Sequence, residues 1–207
     1  MAELSNIEIL FVDNGSTDGS AKIMKACSVG NSSFKVVSVP TNIGYGNGIL
    51  TGLRAANGEV LSWTHADLQT EPQDVLIGLG IFEKSSNKKI FVKGRRYGRP
   101  FMDVIFTLGM SVFETALLRK PFWDINAQPT MFTKKFFETW ESPPSDFSLD
   151  LYAYFSARSS ELQIHRFPVK FGIRAYGVSH WNVNWRAKWR FIKRTIEFST
   201  QLRKKIN

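Results

Sequence analysis

A single cysteine, Cys27, is the whole of this chain's thiol chemistry, which excludes an internal disulfide. Nothing here requires an oxidising compartment. Cys27 lies among apolar neighbours on an expected helix, so packing rather than reactivity is its reading. Histidine is nearly as scarce, and His65, His165 and His180 lack the close pairing of a zinc site. The opening residues, Met1 to Asn6, have neither the basic region nor the apolar core of a signal peptide, and an untargeted start is expected. Uninterrupted apolar runs of spanning length are missing too. Residues 101–118, the longest helical apolar segment, contain Asp103 and Glu114, and their Phe101, Val104, Ile105, Leu108, Val112 and Leu117 recur at helical spacing. The expectation is an amphipathic helix rather than a span. Repeats, low-complexity tracts and long Gly/Ser linkers are also absent, which argues against a second independent domain.

Acidic residues are the next shortage, 18 against 27 Lys and Arg, for a net charge of +9. The surplus is local. Residues 184–207 hold eight basic side chains and one acid, Glu197, so +7 of the +9 sits there. Such a distribution argues against a protein-wide nucleic-acid surface, and no helix-turn-helix or aromatic-basic sheet motif supports one. No nucleic-acid partner is expected. The chain divides into residues 1–183 and a basic amphipathic helix over 184–207. On that helix Trp185, Trp189, Ile192 and Ile196 form a stripe flanked by Arg186, Arg190, Lys193 and Arg194, the pattern of an element lying on an anionic membrane surface.

What is present is a globular composition, 43% hydrophobic and 22% charged over 207 residues. Strand-type runs at residues 7–12, 35–39, 59–63 and 90–92 alternate with helical patterns at 18–27, 45–56 and 72–82. The second half adds a short β run near 130–132, a helix near 147–158 and a strand at 162–171. The fold class is α/β, a mostly parallel sheet flanked by helices. Ligands in such folds bind at the carboxyl ends of strands, where Asp13 and Asp67 both fall.

Asp67 stands in Trp63-Thr64-His65-Ala66-Asp67-Leu68-Gln69, directly after an apolar strand. A carboxylate there, with an amide oxygen two residues on, suits a hard divalent cation held against a phosphate. Asp13 opens Asp13-Asn14-Gly15-Ser16-Thr17-Asp18, where Asp18 or Thr17 can cap a helix and Asp13 can accept hydrogen bonds from a base or ribose. The glycines of Asn42-Ile43-Gly44-Tyr45-Gly46-Asn47-Gly48 do not match a dinucleotide fingerprint. They let backbone approach a ligand or a neighbouring helix closely. Asp124 and Gln128 stand in Trp123-Asp124-Ile125-Asn126-Ala127-Gln128-Pro129, where Asp124 can close an Asx turn. Asp146 and Asp150 are expected to cap and solvate the helix they begin.

The ordered segments VDNGSTDGS, NIGYGNGILTGLRAANGEVLSWTHADLQTEP, VKGRR and FPVKFGIRAYGVSHWN resemble the family-two glycosyltransferases of the GT-A (Rossmann-like) fold, in the branch of dolichol-phosphate mannose synthase and polyprenyl-phosphate sugar transferases. The resemblance covers about residues 7–185. It implies that Asp13, with Asn14, Asn42 and Gly44 nearby, contacts the base and ribose of a nucleotide sugar. It implies further that Asp67 is the second acid of the DxD motif and that Asp67 and Gln69 hold Mg²⁺ or Mn²⁺. Arg95 sits near the family's basic position after the fourth strand and serves the donor or a phosphate. Arg174 and Ser179, with His180, grip a phosphate of acceptor or donor. Asp67, Asp124 and Gln128 form the implied catalytic set. Departures are His65 for the first acid of DxD, Asn14 for the second acid of VDD, and His180 for a lysine. The family's first strand, ending in a Pro-x-Tyr-Asn type turn, precedes the point where this chain starts.

The implied reaction is inverting transfer of a sugar from a nucleotide-diphosphate sugar to a polyprenyl phosphate or other glycolipid precursor. An acceptor phosphate is already an anionic nucleophile and needs no general base. The place is cytoplasmic, peripheral at the cytoplasmic face of a membrane. A catalytically weakened relative that binds a nucleotide sugar or a partner is the alternative.

Overall fold

The computed structural model describes residues 6–172 and 185–204. Two compact units share the chain. One comprises Met1–Trp63 with Met131–Leu149, the other Thr64–Thr130 with Asp150–Asn207. The structure is mixed α/β with helices on its sheets, as the alternating pattern predicts.

In the first unit, β1 (Ile9–Asn14) and β2 (Phe34–Val39) pair in parallel from Ile9 opposite Phe34 to Asn14 opposite Val39. Helices α1 (Ser20–Ser28) and α2 (Tyr45–Ala55) pack on them. Asp18 accepts a hydrogen bond from the Ser20 amide at 2.9 Å, so the expected start signal operates. Gly52 of α2 lies so close to β1 that a Cβ would come within 2.7 Å of the Val12 side chain. Next to β3 (Val60–Trp63) runs β5 (Thr130–Thr133), where Trp63 meets Phe132 edge-on. A short helix, α5 (Lys134–Phe137), follows; its Phe136 joins Phe132 and Trp140 in an aromatic cluster. Cys27 corrects the sequence reading, for it is exposed on α1 rather than packed, because no residue of that helix is buried.

In the second unit, α3 (Asp74–Lys84) covers a parallel pair, β4 (Ile90–Tyr97) and β6 (Gln163–Lys170), whose register runs from Ile90 opposite Gln163 to Tyr97 opposite Lys170. β4 is far longer than the apolar run of residues 90–92 predicts. It continues because Lys93, though charged, is fully buried among partners. Helix α4 (Phe101–Leu118) has the expected bounds. It is also, among the described residues, the one helix long and apolar enough to cross a membrane, by length and composition. Helix α6 (Leu149–Ser159) begins at the junction of the units, and α7 (Trp185–Lys204) packs along α4. Asp146 does accept the Ser148 amide, as a cap should. Asp150 does not solvate its helix: it is 2% exposed.

Candidate active site

At the end of β1 in the first unit, Asp13 is buried and accepts the Ser16 amide at 2.9 Å. Hydrogen bonds from Ser16 hold its carboxyl below the usual carboxylate range, so it is an anion at neutral pH. Asn14 donates to Asn42 Oδ1 at 3.3 Å and to the Gly44 carbonyl at 3.1 Å, while the Gly44 amide donates to Asn42 Oδ1 at 3.1 Å. These three residues clasp the loop before α2 to the strand end. Asn14 Oδ1 is buried without a hydrogen-bond partner among the described residues, an acceptor left over once its amide nitrogen is spent. The glycine run has a structural cause. Gly44, at φ 144, and Gly46 press against the backbone of residues 144–146, where a Cβ would meet carbonyl oxygens at 2.4 and 2.6 Å. The close approach is therefore to this chain's own backbone.

In the second unit, Asp67 occupies a turn whose Leu68 has a left-handed φ of 56°, and it accepts the Gln69 amide at 3.2 Å. Gln69 is clamped from both sides by the end of β6: its Nε2 donates to the Gly172 carbonyl at 3.2 Å, and the Gly172 amide donates to its carbonyl at 2.7 Å. One residue earlier, Phe171 lies under two guanidinium groups, Arg96 at 5.1 Å and Arg99 at 5.6 Å from its ring centroid. The carboxylate turn and two cations are thus gathered at the carboxyl ends of β4 and β6. Arg96 also grips Asp124. Its backbone amide donates to Oδ2 at 2.9 Å, its Nε to Oδ1 at 2.9 Å, and its NH2 to Oδ1 as well. Burial tends to raise Asp124, but the charge and hydrogen bonds of Arg96 outweigh it and hold the carboxyl below its ordinary range. Arg166 pins the segment from behind through the Gly94, Trp123 and Asp124 carbonyls.

Below this cluster, Lys93 donates to the Ala127 carbonyl and Thr130 Oγ1, both at 2.7 Å, and lies 3.7 Å from Asp150, which accepts from Gln128 at 3.0 Å. Asp124 and Gln128 are each 2% exposed, and their side chains are committed to Arg96 and Asp150. Their place is that of supports for β4. Arg95 is exposed, whereas Arg96 and Arg99 stack on Phe171 within the cluster. Sequence reasoning passed over both. Extending β4 past Val92 would have separated Arg95 from Arg96, since successive strand residues face opposite sides. Arg174, Ser179 and His180 lie outside the described residues.

Among the described residues no group of three His, Cys, Asp or Glu side chains could hold a metal ion. One carboxylate and one amide on a single turn are nonetheless a fitting donor set for a cation that draws its remaining oxygens from phosphate and water. Such a site would rest on Asp67 and Gln69.

Residues 2–156 match the sequence model of the family described as Glycosyl transferase family 2. The dolichol-phosphate mannosyltransferase of Mycosarcoma maydis is 26% identical over 209 residues, spanning 95% of this chain and 68% of that protein. The undecaprenyl-phosphate 4-deoxy-4-formamido-L-arabinose transferase of Pseudomonas fluorescens (strain Pf0-1) is 34% identical over 90 residues, which are 43% of this chain and only 26% of that protein. Among solved structures, glucosyl-3-phosphoglycerate synthase from Mycobacterium tuberculosis in complex with Mn²⁺, uridine-diphosphate-glucose and phosphoglyceric acid aligns with a TM-score of 0.70 at 15% identity, over 94% of this chain and 68% of that one. That likeness establishes the GT-A fold.

Proposed function

We propose that this chain, which belongs to glycosyl transferase family 2, moves a sugar from a nucleotide-diphosphate sugar to a polyprenyl phosphate or another glycolipid precursor, with inversion at the anomeric carbon. The observation that carries the reading is the clamp of Gln69 on Gly172 beside Phe171 with its two arginines, which joins a carboxylate turn to a concentration of positive charge. Asp13, kept anionic by Ser16, accepts from the base and ribose. Arg99 offers charge to a phosphate, and Arg96, fixed by Asp124, holds the local geometry. Mg²⁺ or Mn²⁺ bound by Asp67 and Gln69 would neutralise charge on the departing diphosphate. No side chain need remove a proton from a phosphate acceptor. Relatives named for dolichol-phosphate and undecaprenyl-phosphate transfer support this acceptor class and, with a lipid-linked acceptor, a place beside a membrane.

A second reading, nucleotide-sugar binding with weakened catalysis, is favoured by His65 where the first acid of DxD would stand. Two measurements separate the readings. Nucleotide sugars of uridine, guanosine and thymidine are each added with Mg²⁺ or Mn²⁺ while the melting temperature is followed, and sugar transfer to a polyprenyl phosphate is then assayed. The transferase reading expects a metal-dependent rise with one donor, lost in Asp67→Asn, together with turnover. A rise without turnover selects the binding relative. No rise with any donor and either metal overturns both.

A further inference from the structure

Helix α4 is built inside out. Its buried residues are Ser111, Glu114 and Leu118, two of them polar, with Asp103 and Thr107 half-buried along the same side. Outward stand Phe101 at 76% exposure, Met102 at 70% and Val112 at 59%, with Ile105, Leu108 and Phe113 between them. A helix facing water carries the opposite arrangement. A contiguous apolar face of this kind marks an interaction surface. It continues into an open groove of about 260 Å³, lined by Ser111, Val112, Thr115, Ala116, Phe122 and Trp123.

We propose that α4 lies in the plane of an anionic bilayer surface, with its outward apolar face in the acyl boundary and the cations of α7 over the headgroups. Charge complementarity selects this occupant. The Ser199 hydroxyl of α7 lies 2.7 Å from Glu114 Oε1 and Arg203 donates to the Leu117 carbonyl, so the basic helix is fastened to α4 itself. α7 presents Lys193, Arg194 and Lys204 to solvent together with the apolar Trp189 and Ile196. Apolar residues interleaved with cations are what an interfacial helix offers to anionic lipid. A second copy of the chain would bring its own basic α7 against the first, like charge to like. Crossing the bilayer is disfavoured, because α4 would carry Asp103 and Glu114 into hydrocarbon. In the plane, both acids stay turned to protein.

The test is flotation of the full chain with vesicles of phosphatidylcholine alone and with phosphatidylserine added, and it needs neither donor nor acceptor. The wild type should float with the anionic vesicles. Ile105→Glu with Val112→Glu should lower recovery by roughly tenfold or more, as should Lys193→Glu with Arg194→Glu. Ile23→Glu, which alters an equally bare apolar residue on α1, should change nothing. Melting curves establish that each variant is folded, and Ile105→Ser with Val112→Ser replaces the glutamate pair if that pair unfolds. The proposal is overturned if the wild type stays unbound, if the α4 variant floats like wild type, or if the Ile23 control loses as much. It is equally overturned if light scattering without lipid gives a dimer that the α4 variant converts to monomer, for then a second copy covers the face.

Discussion

Lys93 is the residue on which the middle of β4 depends. Burial, above all, lowers its pKa from 10.5 to about 7, against the opposing pull of Asp150. It persists because two oxygens at 2.7 Å and a carboxylate at 3.7 Å surround the ammonium. Between pH 7 and 10.5 the unfolded chain binds the proton and the folded chain gives it up, so this group's contribution to stability rises with pH across that window. Lys93→Met should remove that rise. It should also cost about 3–5 kcal/mol at neutral pH, since Asp150 loses its buried counter-ion. Urea unfolding of both proteins at pH 7 and pH 9 checks the two statements: the loss should be larger at pH 9, and a loss larger at pH 7 than at pH 9 would contradict the assigned direction. Gly46 offers a steric counterpart. Two carbonyl oxygens lie 2.6 Å from where a Cβ would be, both of them backbone, so Gly46→Ala cannot be absorbed by a rotamer change. The substitution should destabilise by roughly 1–3 kcal/mol, read as a lowered urea midpoint.

Helices α4 and α7 meet at a single buried carboxyl. Desolvation raises Glu114 from 4.5 to about 7, and only Ser199 counters it. The Ser199 hydroxyl lies 2.7 Å from both Glu114 Oε1 and the Thr195 carbonyl, yet it has one proton. A protonated Glu114 resolves the conflict by donating to Ser199 while Ser199 donates to Thr195. Because the folded pKa is the higher one, the contribution is complete below pH 4.5 and is lost as pH rises through about 7. The loss amounts to roughly 3 kcal/mol. Glu114→Gln keeps a donor for Ser199 without a charge, so it should match wild type near pH 5 and exceed it in melting temperature at pH 8. Equal melting temperatures at pH 8 would mean that Glu114 is not desolvated as described. The same helix marks a limit of sequence reading. Its bounds follow from periodicity alone, but periodicity gives the angular position of an apolar stripe and not the side on which the protein lies. β4 marks another limit, since Lys93, Arg95 and Arg96 look like the end of a strand until their partners at residues 124–130 and 150 are known. Asp13 and Asp67 can be singled out as candidates from a strand end and a short motif; Arg96 and Arg99 cannot, because Phe171 and Gly172, far off in the chain, assemble their surroundings.

At the scale of the molecule, the charge map and the packing disagree about where the C-terminal helix belongs. By charge, residues 184–207 form a separate appendage with +7 of the +9. By packing, α7 is part of the second unit: Ser199 and Leu202 are 0% and 3% exposed, and Arg203 donates to the Leu117 carbonyl of α4. The two descriptions fit different faces of one helix, with Trp189 and Ile196 exposed on the face that charge and sequence pattern mark. Removing residues 184–207 therefore does more than discharge the protein. Losing the burial of Leu202 costs about 1.5–3 kcal/mol, and Glu114 loses its partner Ser199. For a chain of this length each kcal/mol lowers the melting temperature by roughly 2–4 °C, so the shortened chain should melt several degrees below the full one. Hydrogen exchange locates the effect. Protection should fall along α4, which loses its neighbour, and stay unchanged in β1 and β2, which belong to the other unit and hold each other in parallel register. Unaltered protection in α4 would return α7 to the status of an appendage. It would also remove the ground for fastening the basic helix beside the apolar one.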